Sequence, residues 1–459
     1  MRTTPLSLGA AVAAVMLLGA CGGGDDNNDT STTPVASGEK APTSATCPSV
    51  VPATAKCLSG QDSAGAFYLI AMPEKWNGDL VMHAHGGPSL DAPTPARAVE
   101  DLERWTIMVK QGYAWAGSTF RQGGVEVRAA AEDTERLRKI FIEHVAKPKL
   151  TILHGQSWGG GVAAKAAETY TAATNNGKAP YDGVLLTSGV IAGGSYSYDF
   201  RLDLRVVYQY LCNNHPRPTE AAYPLNLGLP AGVTMTSADL TGRVNECLGL
   251  NKTAAQRTAE ETRKIRTIEN VIKIPASSIQ SHINWGTFHF QDISSKRTGG
   301  ASPFGNIGVR YSGSDDDAAL NAGVLRYAAD PTAAAKFAAD TDPNGKIPVP
   351  VLTMRGTQDP TAFVEMANFF GRTMTRAGTA DHLVQTFTND NAHSYLSDPA
   401  YVTMMSSLTK WVTQGTKPTP ASVAAACPAF EAEYGAGCRF LPDYMPAALE
   451  TRIPPRQRN

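Results

Sequence analysis

The chain has 459 residues, of which 42% are hydrophobic and 18% charged, and its formal net charge is −1. That length is too great for one simple core and too small for three ordinary domains. The near-zero charge gives no sign of nucleic acid or of an acidic partner.

The first elements concern export. Arg2 precedes the apolar run LGAAVAAVMLLGA, which is too short to span a bilayer. The run ends in Leu18-Gly19-Ala20-Cys21, which resembles the bacterial lipobox. The resemblance implies that residues 1–21 are a signal peptide whose Cys21 is lipidated. Residues 22–46 are polar and rich in Gly, Ser and Thr, so a flexible tether is expected there. Gly22 in place of Asp points, by the same resemblance, to the outer membrane of a Gram-negative envelope. The expected location is therefore the cell envelope, on an N-terminal lipid anchor, or the medium after release.

Six further cysteines remain. An even number in an exported chain reads as disulfides. Pairing neighbours closes the shortest loops: Cys47–Cys57, Cys212–Cys247 and Cys427–Cys438. No C-x-x-C spacing suggests zinc.

After the tether, GAFYLIAMPEKWNGDLVMHAHGG reads as two strands around a glycine turn, and GYAWAGSTF as a third. Leu137, Ile140, Phe141 and Val145 then recur at helical spacing. KLTILH is a buried-type strand, GVAAKAAETYTAA a helix and YDGVLLTSGVI another strand. Strands alternating with helices imply a mostly parallel sheet covered on both faces, an α/β fold. From 192 to 346 the rhythm breaks into helices and loops. An insertion that long exceeds any ordinary loop and reads as a cap. The expected organisation is a core in two parts, 47–191 and 347–459, the second including a C-terminal tail. Strand signals return at IPVPVLTMRGTQDP and HLVQTFTNDNAHSYL, and DPAYVTMMSSLTKWV is a closing helix.

Gly155-Gln156-Ser157-Trp158-Gly159 fits G-x-S-x-G, with a strand before it and a helix after it. Glycines flank the serine because a strand-to-helix turn that exposes its hydroxyl leaves no room for side chains. A serine hydroxyl needs a base to take its proton, and that base needs a third group to orient it. In chain order the acid follows the serine and the histidine comes last. His393, in the loop after LVQTF, is the expected base; His382 lies at the wrong end of that strand. Asp359, at the end of VPVLTMRGTQDP, is the expected acid. Asp390 is too near His393 in sequence to arrive from a separate strand. An oxyanion requires two main-chain amides. Trp158 supplies one, and the His85-Gly86-Gly87-Pro88 turn supplies the other through Gly87, with Gly86 beside it.

Together these motifs resemble the α/β-hydrolase superfamily over about residues 66–415, with the insertion where that fold carries its cap. HGGP and GxSWG are also similar to elements of prolyl oligopeptidase-like and proline iminopeptidase-like peptidases. Ser89 replaces a further glycine, however, and GSTFRQGG stands where an Arg-rich DQRG strand is usual. The cap, the disulfides and YDGVLLTSGVIAGG look more like secreted tannase, feruloyl-esterase-type or polyester-degrading enzymes. The resemblance implies a serine ester hydrolase that needs no cofactor and no metal and acts on a small or oligomeric ester. Two other classes stay open. One is an exopeptidase, in which Glu260, Glu261 or Glu269 would hold the substrate amine. The other is a non-catalytic binding lipoprotein. Trp158, Trp285 and His289 are candidate pocket walls, with His282 and Phe288 beside them, although packing within the cap suits the aromatic cluster better. Asp340-x-Asp342-x-Asn344-Gly345 begins like a calcium loop but has Val351 in the last ligand position, so it reads as a turn. Oligomeric state is not legible.

Overall fold

Side chains that alternate between two buried faces make the strands of this protein the partition between two apolar cores. The computed structural model describes residues 38–171 and 179–457. Its strands are β1 (Thr43–Ala45), β2 (Lys56–Gln61), β3 (Phe67–Met72), β4 (Leu80–Ala84), β5 (Ala114–Ser118), β6 (Thr151–Gln156), β7 (Gly183–Thr187), β8 (Val351–Gly356) and β9 (Leu383–Thr388). They form one sheet in the order β1-β2-β3-β5-β4-β6-β7-β8-β9. The first four in that order pair antiparallel, and all pairs from β5–β4 to β8–β9 are parallel.

Every residue of β4, β5, β6, β7 and β8 is buried, as expected for strands covered on both sides. Met82, Leu153 and Val184 face one core, while Val81, Ile152 and Leu185 face the other. Helices α1 (Val127–His144) and α2 (Trp158–Tyr170) fill the first. A helix over Asp398–Gln414 fills the second with Met404 and Leu408.

The insertion occupies the stretch between β7 and β8, close to the 192–346 expected. Among its described residues it is helical, led by α3 (Gly193–Cys212). Leu202, Val206, Leu240, Ile268 and Ile283 belong to the same apolar cluster as Leu153 and Val162. The cap is thus packed continuously onto one face of the sheet.

All three expected disulfides are present, Cys47–Cys57, Cys212–Cys247 and Cys427–Cys438. The expected tether needs correction at its end. Thr43–Ala45 pairs with β2, Thr43 opposite Ser59 and Ala45 opposite Cys57. Glu39 accepts from the Ser63 amide at 2.8 Å and meets Arg136 at 3.4 Å. Composition suggested a tether because short polar residues carry no periodic signal; the open edge of β2 recruits them. Cys21 and the signal segment lie outside the described residues. No described helix is long and apolar enough to cross a membrane.

The C-terminal tail ends against the cap. The Arg456 side chain is buried and meets Asp203 at 2.6 Å and Asp199 at 3.4 Å, both on α3. Those carboxylates hold its guanidinium above the usual range against the opposing effect of burial. Removing one partner of a buried pair leaves charge uncompensated. Arg456→Ala is expected to lose about 3–5 kcal/mol of stability, measured by chemical denaturation.

Candidate active site

At the end of β6 the chain turns directly into α2 through Ser157, whose φ of 56° and ψ of −123° are unusual for a side-chain-bearing residue. Its backbone is fully tied. The Ser157 amide donates to Thr187 O at 3.1 Å, and its carbonyl accepts from Gly160 at 2.9 Å and Val190 at 2.8 Å. The glycines are required by close approach. A Cβ on Gly159 would overlap the Ala84 carbonyl, and one on Gly155 would overlap the Gly159 carbonyl. Strand, turn and helix therefore press against the end of β4 with no side chain between them.

Ser157 Oγ–H donates to His393 Nε2 at 2.7 Å. His393 Nδ1 lies 2.9 Å from both Asp359 oxygens, so Nδ1 carries the proton and Nε2 is the acceptor. The Asp359 side chain is fully buried and accepts from the amides of Thr361 at 2.8 Å and Ala362 at 2.9 Å. Three elements deliver these groups: the turn after β6, the loop after β8 and the loop after β9. Ser157, Asp359 and His393 are thus brought together as expected. His382 sits in the turn entering β9, at the opposite end of that strand, and Asp390 pairs with Arg439 at 2.6 Å.

The strand order, the crossover helices and a serine at this turn settle the architecture. The chain has the α/β-hydrolase fold. No family model and no curated protein matches it. Among solved structures it is similar to feruloyl esterase B from Aspergillus oryzae, at 12% identity and a TM-score of 0.41, covering 82% of this chain and 86% of that one. It is similar to the rice cell wall degrading esterase LipA from Xanthomonas oryzae, at 11% identity and a TM-score of 0.38, covering 87% and 99%. An esterase from Exiguobacterium antarcticum gives 13% identity and a TM-score of 0.36, over 77% and 98%. Likenesses this distant carry no argument about chemistry, which rests on the geometry around Ser157, His393 and Asp359.

Gly86 lies against the Ser157 turn: a Cβ there would crowd Ser157 Cβ at 3.0 Å. Its carbonyl accepts from Arg97 at 2.8 Å and from His85 Nδ1 at 3.0 Å. Because the peptide is planar and trans, the Gly87 N–H points away from those donors. Gly87 has a φ of 61°, in the left-handed region that favours glycine. A cleft of about 300 Å³ beside this loop is lined by His85, Pro88, Phe120, Arg97, Glu126 and Trp158.

The cap closes over the same end of the sheet. Trp158 meets the Tyr198 ring edge-on at 6.1 Å, and the Tyr198 hydroxyl lies 3.1 Å from His289 Nδ1. Trp285 stacks beside His289 at 6.2 Å. His282 Nε2–H donates to Pro360 O at 2.9 Å, one residue past Asp359. Burial pushes His282 well below the ordinary histidine range and His289 down to about 3, so both are neutral near pH 7. The carboxylates considered for an amine site are otherwise engaged. Glu260 pairs with Arg263 at 2.7 Å, Glu261 with Lys252 at 2.6 Å, and Glu269 accepts from the Ala276 amide at 2.9 Å. Asp340 and Asp342 accept from the amides of Val127 and Ser195, each at 3.0 Å, as their reading as turn residues implies.

Sequence reasoning missed Arg355. It is buried in β8 and donates to Ala362 O at 3.0 Å, Phe363 O at 2.6 Å and Gly189 O at 2.5 Å. It therefore ties the Asp359 turn to the loop beside Ser157. The signal was available: one charged residue inside an otherwise uncharged buried strand.

Gly159→Ala is expected to cost at least about 1–3 kcal/mol through overpacking and to lose reactivity toward a fluorophosphonate probe. Gly242, inside a cap helix with nothing near a built Cβ, is the counter-example. Gly242→Ala should raise stability by about 0.5–1 kcal/mol in the same denaturation assay.

Proposed function

We propose that the protein is a serine carboxylic ester hydrolase working through an acyl-enzyme. The observation that carries this reading is the continuous relay from Ser157 through His393 to buried Asp359, at 2.7 and 2.9 Å. His393 Nε2 takes the Ser157 proton as Oγ attacks the ester carbonyl. The resulting imidazolium is stabilised by Asp359, which stays ionised. The main-chain amides of Trp158 and Gly87 hold the oxyanion, Trp158 at the N-terminus of α2, where the helix field favours negative charge. His393 then protonates the departing alcohol. Water, losing its proton to His393, attacks the acyl-serine, and collapse releases the acid and restores Ser157.

Ester rather than peptide cleavage is favoured because Glu260, Glu261 and Glu269 are committed to helix contacts. The half-buried Trp285 and the aromatic residues around it suit an ester with an apolar or aromatic body, including hydroxy-acid and polyester-derived ones. Ser157→Ala should lower kcat on short nitrophenyl esters by about 10⁴-fold or more, and Asp359→Asn by about 10⁴-fold through the wrong imidazole tautomer. Wild type should be labelled covalently by a fluorophosphonate and Ser157→Ala should not. Labelling of neither protein, with no ester turnover, would leave a binding lipoprotein instead.

The three disulfides suit an oxidising compartment. Envelope attachment through lipidated Cys21 is the matching proposal. Cys21→Ala should move the protein from the membrane fraction to the soluble fraction of expressing cells, and mass spectrometry should find no lipid on its N-terminus.

A further inference from the structure

Arg201 lies on α3 where the cap meets the active site. It is about 5% exposed. Its guanidinium carbon is 4.6 Å from the Tyr198 ring centre, 4.7 Å from Phe200 and 4.6 Å from Trp285. One amino group donates to the Ser197 carbonyl a turn earlier, and Nε has no partner. None of the carboxylates among the described residues forms an ion pair with it. Elsewhere in the cap Arg217, Arg243, Arg263, Arg266 and Arg297 each meet a carboxylate. Asp292, which acts on the same aromatic neighbourhood, is taken by Arg297 at 3.1 Å.

A buried cation without a counter-ion costs several kcal/mol, and aromatic faces return only part of that. Burial pulls Arg201 down to about 10, so it remains charged at neutral pH. Arg205, one turn along α3, is a buried cation too, but it donates to the carbonyls of Leu225, Gly228 and Gly286, and Arg355 donates to three carbonyls of its own, whereas Arg201 has the carbonyl of Ser197 alone. Ring contacts connect Arg201 to the residues around Ser157 and His393. Tyr198, under its guanidinium, touches Trp158 next to the nucleophile. His282 packs against Trp285 and Phe200, the rings that flank Arg201, and feels the charge of both Arg201 and His393. The Nδ1 of His282 is likewise without a partner.

We propose that Arg201 is the group through which the site recognises a free carboxylate on its substrate, so that the preferred esters are monoesters of dicarboxylic acids. This deepens the esterase reading and rests on it for the bond that is cleaved. The guanidinium supplies two parallel N–H donors to the carboxylate, and the Trp285 and Tyr198 rings cover the chain between the acid and the ester.

The test uses the full chain carrying Ser157→Ala, so that ligand is bound but not turned over. Binding of monomethyl adipate and of methyl hexanoate, neutral and of similar length, is measured by calorimetry. Tighter binding of the acid by at least about tenfold is expected, from the strength of charge-assisted hydrogen bonds. Adding Arg201→Gln should collapse that ratio to near one, and Arg201→Lys should restore part of it. Equal affinity for the two esters in the Arg201-intact protein overturns the proposal. So does a ratio that survives Arg201→Gln. Should Arg201→Gln not fold, the acid-to-neutral ratio of the Arg201-intact protein decides alone. Selective, Arg201-dependent binding by a protein whose wild type is inert to fluorophosphonate would leave the carboxylate site standing and remove the esterase reading.

Discussion

The structure depends on one crowded turn. Ser157 is held at a backbone geometry that costs an ordinary residue about 1–3 kcal/mol, and its surroundings leave it no alternative. Its amide is bound by the end of β7, and its carbonyl is bound both by its own helix and by the loop beyond β7. Gly155 and Gly159 let the strand, the turn and the end of β4 touch backbone to backbone. The hydroxyl is consequently presented at the carboxyl ends of the parallel strands, where the loops after β8 and β9 also emerge. That parallel register is what allows residues 157, 359 and 393 to meet.

Around this turn, buried polar groups are organised by who donates and who accepts. Arg355 spends its donors on three carbonyls and so fixes the Asp359 turn without neutralising the carboxylate. Behind the site, His83 and His154 face each other through Nδ1 atoms at 3.0 Å, packed against Trp105. Burial lowers His154 to about 3 and holds His83 well below its ordinary range, so both are neutral, and one ring donates to the other. Histidine count alone would overstate the number of available bases. The cap adds an apolar cluster continuous with the sheet, and its Arg201 is a buried cation that meets one carbonyl and three aromatic faces.

The sequence by itself determined the sheet rhythm, the presence and place of the insertion, the glycine-flanked serine, the chain order of the aspartate and histidine that meet it, and the cysteine pairing. These were legible because each leaves a local trace: alternation or runs of apolar residues, tiny residues at a tight turn, a histidine after the last apolar run, cysteines near in sequence. What only the tertiary structure decided depends on partners far apart in the chain. Residues 38–46 looked like a tether, yet the free edge of β2 draws Thr43–Ala45 into the sheet. The tail looked featureless, yet Arg456 returns to Asp203. Arg355 and Arg201 read as ordinary arginines; whether such a charge meets a carboxylate, a carbonyl or only aromatic faces is set by what the fold places beside it, and no spacing rule encodes that.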